Sequence, residues 1–251
     1  MTRAWTAVVV AALAVVGVRA AGAQTAEQVV DRHIAAIGGR AALTKIRSRT
    51  ATGTITISTP AGDLTGSIEL INEAPNKSRT LVQLDGSSLG VGQIVIDQRF
   101  DGVNGYVLDS AQGNREITGN QLDTMRSGSF PEAFLNYREL GATIRLEDKQ
   151  TVGDREAFVL VYEPTSGSIA RHFIDTETYM ALKTVVKIDV PQFGGEIEQS
   201  NSYFDYRDVD GVKLPFRLQS TSNVQNFSVT ISKVEHNLKI DPTLFVRPAA
   251  K

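Results

Sequence analysis

Between Thr50 and Val234 apolar side chains recur at every second position, in one short run after another. Gly53, Ile55 and Ile57 alternate with Thr52, Thr54, Thr56 and Ser58, and Phe227, Val229 and Ile231 repeat the pattern. Met180, Leu182, Val186, Ile188 and Val190 share one parity, while Lys183, Lys187 and Asp189 share the other. Successive side chains of a strand point to opposite faces, so these runs predict strands with one buried and one wet face, as in antiparallel sheets. Turn signals separate them: Pro60 to Asp63, Glu73-Ala74-Pro75-Asn76, Asp101-Gly102, Asn104-Gly105 and Asp210-Gly211. Roughly eleven strands are expected on this count. Pro215 falls inside the alternation of Val212, Leu214, Phe216 and Leu218. It has no N–H for a ladder, which places that strand at an edge or a bulge.

Helices are few. Thr25 and Gln28 form a capping-box pair ahead of the stripe Val30, Ile34 and Ile37, and Gly38-Gly39 ends it, so a helix is expected over Ala26 to Ile37. A second short one covers Ala41 to Lys45. Thr118 to Leu140 interrupts the strands: Leu122 and Met125 stand three apart, as do Phe134 and Tyr137, with Pro131 between and Gly141 after. Two short helices are expected there. Asp241-Pro242 opens a tail whose Leu244 and Phe245 are placed to tuck under the sheet. No Pro-, Gly- or Ser-rich linker divides residues 24–251, so they read as one domain, mainly β with a few helices: a strongly curved antiparallel sheet with helices on its apolar face. So few helical turns cannot fill the concavity of so wide a sheet. Part of the inner face is therefore expected to remain a pocket, with a lining suited to a lipid or acyl chain.

Residues 1–23 read as an address. Arg3 precedes an uncharged apolar run from Ala4 to Val18, and Ala21-Gly22-Ala23 matches a small-x-small cleavage site. The run is shorter than the roughly 20 residues that span a bilayer, so a cleaved export signal is expected, with a periplasmic product in a diderm bacterium and no integral membrane segment. The chain has no Cys, which excludes disulfides, thiolate metal sites, thiol nucleophiles and a Cys-linked lipid anchor together. Its 26 basic and 28 acidic residues are too evenly matched for a nucleic-acid-binding surface.

Several constellations have bland readings beside functional ones. Gly86-Ser87-Ser88-Leu89-Gly90 matches the G-x-S-x-G nucleophile pattern, but β-prone Val91 and Ile94 to Ile96 follow where a helix should open, so a Gly-rich hairpin is the better reading of Ser88. His33, His172 and His236 lack partners at metal-ligand spacing, and no metal or cofactor is expected. Asp205, Asp208 and Asp210 lack the spacing of a calcium loop. Arg99, Arg126 and Arg138 are candidates for a cavity mouth, with solvated faces the commoner fate of Arg. Asn76-Lys77-Ser78 and Asn226-Phe227-Ser228 are sequons only in an organism that glycosylates them. The apolar residues of the inserted helices, Leu122, Met125, Phe130, Phe134 and Leu135, read either as plain core or as a movable cover that binds ligand over the concave face.

Two stretches carry a resemblance. Arg171-His172-Phe173-Ile174-Asp175-Thr176-Glu177-Thr178-Tyr179 and Phe204-Asp205-Tyr206-Arg207-Asp208-Val209-Asp210-Gly211-Val212-Lys213-Leu214-Pro215-Phe216 resemble the outer-membrane lipoprotein-sorting proteins with the LolA/LolB-like fold, and Val30 to Gly39 is similar to the start of that group's longer members. The resemblance implies an incomplete (half) β-barrel closed by helices, holding acyl chains of a lipoprotein or another lipid in the periplasm. It also implies an arginine linking lid to barrel, which these motifs do not locate. The chain departs from the membrane-bound acceptor type in having no Cys to lipidate, and it is longer than the compact soluble carriers.

The expectation is thus a non-enzymatic periplasmic carrier or chaperone whose partner is an acyl chain of a lipoprotein or other lipid. The alternatives are a protein-binding module of an envelope assembly and, behind it, a serine hydrolase using Ser88.

Overall fold

The computed structural model describes residues 24–87, 90–190 and 195–247. The expected leader and Ser88 lie outside them. Helix α1 (Ala26–Ala36) and the short α2 (Arg40–Leu43) precede six strands: β1 (Ser48–Thr59), β2 (Gly62–Glu73), β3 (Lys77–Asp85), β4 (Gln93–Phe100), β5 (Gly105–Asp109) and β6 (Arg115–Ile117). A strap then carries α3 (Gly119–Ser127) and a 3-10 turn (Ala133–Leu135). Seven more strands follow: β7 (Thr143–Val152), β8 (Arg155–Glu163), β9 (Ala170–Asp175), β10 (Ala181–Val190), β11 (Gly195–Val209), β12 (Val212–Thr221) and β13 (Asn226–His236). All thirteen form one antiparallel sheet in the order β6-β5-β4-β3-β2-β1-β13-β12-β11-β10-β9-β8-β7. Two meanders are thus joined where β1 pairs with β13. The sheet does not close; β6 and β7 are its edges, and the architecture is an open, curved half-barrel. Among the described residues no helix is long and apolar enough to cross a membrane.

Local chemistry accounts for most of the element ends. In α1 the Thr25 hydroxyl accepts from Gln28 N while the Gln28 side chain accepts from Thr25 N, the reciprocal capping box. Asp210 and Gly211 both take positive φ, 54° and 79°, and form a two-residue turn between the paired Val209 and Val212. The sheet has thirteen strands rather than about eleven; β5 opens at the Asn104-Gly105 turn signal as the sequence indicates, whereas β6, at three residues, is too short for alternation to register. The strap holds one α-helix and a single 3-10 turn instead of two helices. Glu132, after Pro131, is extended at φ −148° and ψ 132°, so the second turn starts only at Ala133.

Pro215 is not at a sheet edge, because β12 lies between β11 and β13. It is at a bulge: Phe204 pairs with Arg217 and Tyr206 with Pro215, while the intervening Asp205 adopts φ 54°. β12 pairs with β13 only from Arg217 to Ser220, so the missing N–H of Pro215 faces no partner strand. Nearby, Lys213 N donates instead to the Ile37 carbonyl at the end of α1 (2.9 Å).

The inner face carries two separate apolar clusters. One gathers Val29, Val30 and Ile34 of α1 with Phe134 and Leu135 of the strap and Phe158, Leu160 and Ile174 of the sheet. The other gathers Ile55, Ile57, Leu64, Ile68, Val82, Leu84 and Val229, with Leu218 and Phe227 against it. These come from β1, β2, β3, β12 and β13 with no helix among them, so at that end the sheet curls until its own side chains meet. On the outer face Ala157, Val159 and Phe173 form a smaller cluster. The C-terminal tail packs outside as well: Phe245 is buried, Leu244 only partly so, and Arg99 Nη1 donates to the carbonyls of Thr243 (3.3 Å) and Val246 (3.1 Å).

The junction of α1 with the sheet depends on Gly38. Its φ is +128°, and a Cβ there would lie 2.2 Å from the Gly211 carbonyl oxygen. Gly39 also has positive φ (+83°), but nothing lies within 4 Å of its added Cβ. Gly38→Ala is predicted to lower stability by about 2–4 kcal/mol and Gly39→Ala by only about 1 kcal/mol, measured by urea denaturation of the two variants side by side.

Candidate functional site

The two clusters leave space between them. A first cavity of about 300 Å³ lies under α1 and the strap, bounded by His33, Pro131, Phe134, His172, Ile174 and Tyr206 among others. A second, of about 420 Å³, lies further along the trough. One side of its lining is apolar, made by Ala51, Ile68, Leu70, Leu218, Phe227, Val229 and Ile231; Asn72, Thr80, Gln199 and Asn201 supply polar groups. The pairing explains why these residues share a face: Ala51 is opposite Leu70, Gly53 opposite Ile68, Ile55 opposite Val229, and Leu218 opposite both Val229 and Tyr203. Gly53 and Gly66 have no room for a side chain, since a Cβ would lie 2.2 Å from the Thr230 carbonyl oxygen and 1.9 Å from that of Gln83. The inner wall is bent too tightly at those points for any other residue.

Arg49, Leu214 and Pro215 border both cavities. Arg49 sits on β1 opposite Asn72 and His236. Its Nε donates to His236 Nε2 (3.2 Å), His236 Nδ1 donates to Asp210 Oδ2 (3.0 Å), and the Phe130 ring of the strap lies 5.2 Å from the guanidinium carbon. Burial pushes Arg49 down to about 10, with the charge of Glu132 acting in the opposite sense. It therefore keeps its charge at neutral pH. Burial, with Arg49 beside it, also lowers His236 against the opposing pull of Asp210. A neutral His236 with its proton on Nδ1 satisfies both hydrogen bonds.

Beneath the strap an aromatic group fills the neighbouring space. The Phe134 ring is edge-on to His33 (5.9 Å), Tyr162 (5.9 Å) and His172 (4.8 Å). His33 Nδ1 is 2.8 Å from the Tyr179 carbonyl, and His172 Nδ1 is 3.3 Å from Thr184 Oγ1. Burial, with His33 adding to it, lowers His172 to about 4. Both histidines are packing residues of this group. Burial raises the phenols of Tyr203 and Tyr206, so they line the first cavity in the neutral form.

The strap is fastened to both halves of the sheet. On the N-terminal meander, Asn76 Nδ2 donates to Arg126 O (3.1 Å), Arg126 Nε to Val103 O (2.8 Å) and Phe130 N to Pro75 O (2.8 Å). On the C-terminal one, Ser168 N donates to Thr124 Oγ1 (2.9 Å) and Ser168 Oγ to Asn120 Oδ1 (2.8 Å). Gly167 permits this approach; a Cβ there would lie 2.6 Å from Thr124 Cα. Arg40 of α2 adds a bond to the Leu135 carbonyl (2.7 Å).

Of the five apolar strap residues, Phe134 lines the first cavity, Leu135 is buried in the cluster under α1, and Phe130 packs against that cluster and over Arg49. Leu122 and Met125 are half-buried on α3, a helix with no fully buried residue, and line neither cavity. Arg99 is on the outer face, Arg126 is at the rim and Arg138 lies over the Tyr137 ring, so none of these three reaches the cavities. Lys213 lines the first cavity from an exposed position, whereas the cation that borders both cavities is Arg49. It has the parity of Ala51, Gly53, Ile55 and Ile57, one step before that alternation begins, so a charge on an apolar face was the available signal. The Gly-rich stretch around residue 88 connects the paired Asp85 and Gln93 of adjacent antiparallel strands, a hairpin setting. Among the described residues no three His, Asp or Glu side chains converge as a metal site would require.

No protein-family model and no curated protein matches this sequence. Solved structures do match in fold. A domain described as an outer membrane lipoprotein-sorting protein from Vibrio parahaemolyticus superposes with a TM-score of 0.55 at 14% identity, over 88% of this chain and 95% of the other. A LolA superfamily protein from Nitrosomonas europaea gives 0.55 at 11% identity over 90% and 99%. A DUF1329 family protein from Desulfovibrio piger gives 0.55 at 11% over 88% and 97%. The fold is LolA-like.

The depressed pKa of His172 makes an acid-side prediction. A histidine that titrates near 6.5 unfolded and near 4 folded binds its proton preferentially in the unfolded state, so its contribution is neutral above pH 6.5 and becomes destabilising as pH falls toward 4. The loss approaches about 3 kcal/mol. Urea titrations of wild type and His172→Gln at pH 7 and pH 4 should show a smaller drop for the variant.

Proposed function

We propose that this chain is a non-catalytic carrier or holding protein that shelters the hydrocarbon part of a lipid, or of a lipid-modified protein, in the trough between its two inner clusters. The observation that carries the reading is the 420 Å³ space walled by β1, β2, β12 and β13, within the size range of small-molecule sites. A trough already curled around its far end presents a preformed apolar wall, so a guest gains burial without having to organise it. Each buried methylene contributes roughly 0.8 kcal/mol, and association costs at least about 4 kcal/mol and often twice that, so tails of about ten carbons or more are favoured over short ones. The strap, with Leu122, Met125, Phe130, Phe134 and Leu135, is the cover. Its α3 half, which has no fully buried residue, is held to the rim by a handful of hydrogen bonds worth about 1 kcal/mol each, while Phe134 and Leu135 anchor the other half in the cluster under α1, so an open state of the α3 half lies within reach of cargo binding or release. The amino-terminal segment directs the protein to the periplasm in this reading, and the similarity in fold to a lipoprotein-sorting domain from Vibrio parahaemolyticus supports it.

A protein-binding module would use the ten-residue edge strand β7. Arg145, Glu147, Asp148 and Lys149 on that strand are charges of the kind that blunt edge pairing, so the trough is the preferred site.

Filling the trough tests the proposal. Val229→Trp, in the apolar wall, should weaken uptake of a fluorescent sixteen-carbon acyl probe about tenfold or more, with an unchanged far-UV spectrum. Wild-type protein that takes up no such probe, and that yields no lipid on extraction after purification from its own membranes, would reject the carrier reading.

A further inference from the structure

Arg49 is a partly buried cation with no ion-pair partner among the described residues. Among the described residues no carboxylate lies within 4 Å of it, whereas Arg79 and Arg99, also largely buried, each hold Asp97 at 2.8 and 2.7 Å. Its protein partners are His236, which takes the Nε proton, and the Phe130 ring, which covers one face. A guanidinium has five N–H donors in a planar fork, and the four on Nη1 and Nη2 have no acceptor among the described residues. No buried side-chain nitrogen or oxygen among the described residues lacks a partner. The free nitrogens of Arg49 must therefore open onto the space that it borders, the junction of the two cavities. Holding an unpaired charge in that partly enclosed space is unfavourable, and an arriving anion relieves it. The Asp210–His236 pair holds the Nε edge of the guanidinium and leaves its Nη fork free for a ligand. Leu218, Val229 and Ile231 continue the wall away from it.

Building on the carrier reading, we infer that the guest is an anionic amphiphile: a carboxylate or phosphate oxygen pair is held by the Nη fork of Arg49, and the alkyl tail runs along the β1–β2–β12–β13 wall. Glu132, the acidic residue whose field reaches Arg49, is too far for an ion pair and disfavours a second negative charge toward the strap. The head is thereby directed to the fork and not to the first cavity. Asn72 and Thr80, on the polar side of the larger cavity, are placed to bond the remaining head-group oxygens.

The test compares heads on one tail. Hexadecanoate, hexadecyl phosphate and hexadecanol, delivered from cyclodextrin to the full chain at neutral pH, compete for a bound fluorescent acyl probe. At least one of the two anions should bind about ten- to a hundredfold more tightly than the alcohol, the range of a charge-assisted bidentate contact. Arg49→Gln should abolish that preference, and Arg49→Lys should retain part of it. Whichever anion binds more tightly identifies the head as a carboxylate or a phosphate. Alcohol binding as tight as that of both anions overturns the inference and leaves the carrier reading standing. Failure of all three to displace or bind overturns the carrier reading, and this one with it. The wild-type comparison decides the matter even if an Arg49 variant does not fold.

Discussion

The structure is governed by a shortage. A sheet of thirteen strands presents far more apolar inner face than eleven residues of α1, nine of α3 and a few single turns can cover. The shortage is met differently at the two ends of the trough. Near α1, side chains from helix, strap and sheet interlock around Phe134. At the far end the sheet bends until Val82 and Leu84 on one meander join Leu218 and Val229 on the other. Neither solution reaches the middle, and the space between them is the site. The close backbone approaches at Gly53 and Gly66 are part of the same economy, because a sheet with side chains at those points could not curve so sharply.

Arg49 ties the architecture to chemistry. It stands where the two cavities meet, it is covered by the one strap aromatic that reaches it, and it is oriented by a histidine whose own proton goes to a turn aspartate. The aromatic group beneath the strap stays uncharged: His172 is driven to its neutral form by the same burial that makes Phe134 a good neighbour. In the second cavity Arg49 stands among apolar side chains and amides, which makes for a polarised trough, greasy along its length and positive at one end.

The architecture was legible in the residues themselves. Strict alternation in Gly53–Ile57 and Phe227–Ile231, the Thr25/Gln28 pair and the Asp210-Gly211 turn each have a local cause, and local causes show in a sequence. The resemblance carried by Arg171 to Phe216 added the half-barrel, and the LolA-like fold agrees with it. What stayed hidden depends on distance along the chain. Three-residue β6 exists because its longer neighbour templates it. Pro215 is tolerated in the middle of a sheet only because a bulge in β11 and a gap beside β13 remove the need for its N–H. The site was the least legible part. Leu122 and Met125 have helical spacing but lie apart from both cavities, whereas the cavity wall is drawn from strands more than 150 residues apart, such as Ala51 and Val229. Arg49 was visible as a parity violation, but its isolation from any acid is a three-dimensional fact.

The pairing along the sheet is uneven in a way that bears on how such a trough admits anything. β1 matches β13 at ten positions and β2 at twelve, whereas β12 and β13 share only four. A thin ladder therefore runs down the floor of the trough, beside the cavity wall, and the strap spans from the Asn76 side to the Ser168 side across it. A layer that is weak along its keel and laced across its gunwales yields by spreading: loosening the lacing lets the two flanks rotate about the keel and widens the hold, with no strand leaving the sheet.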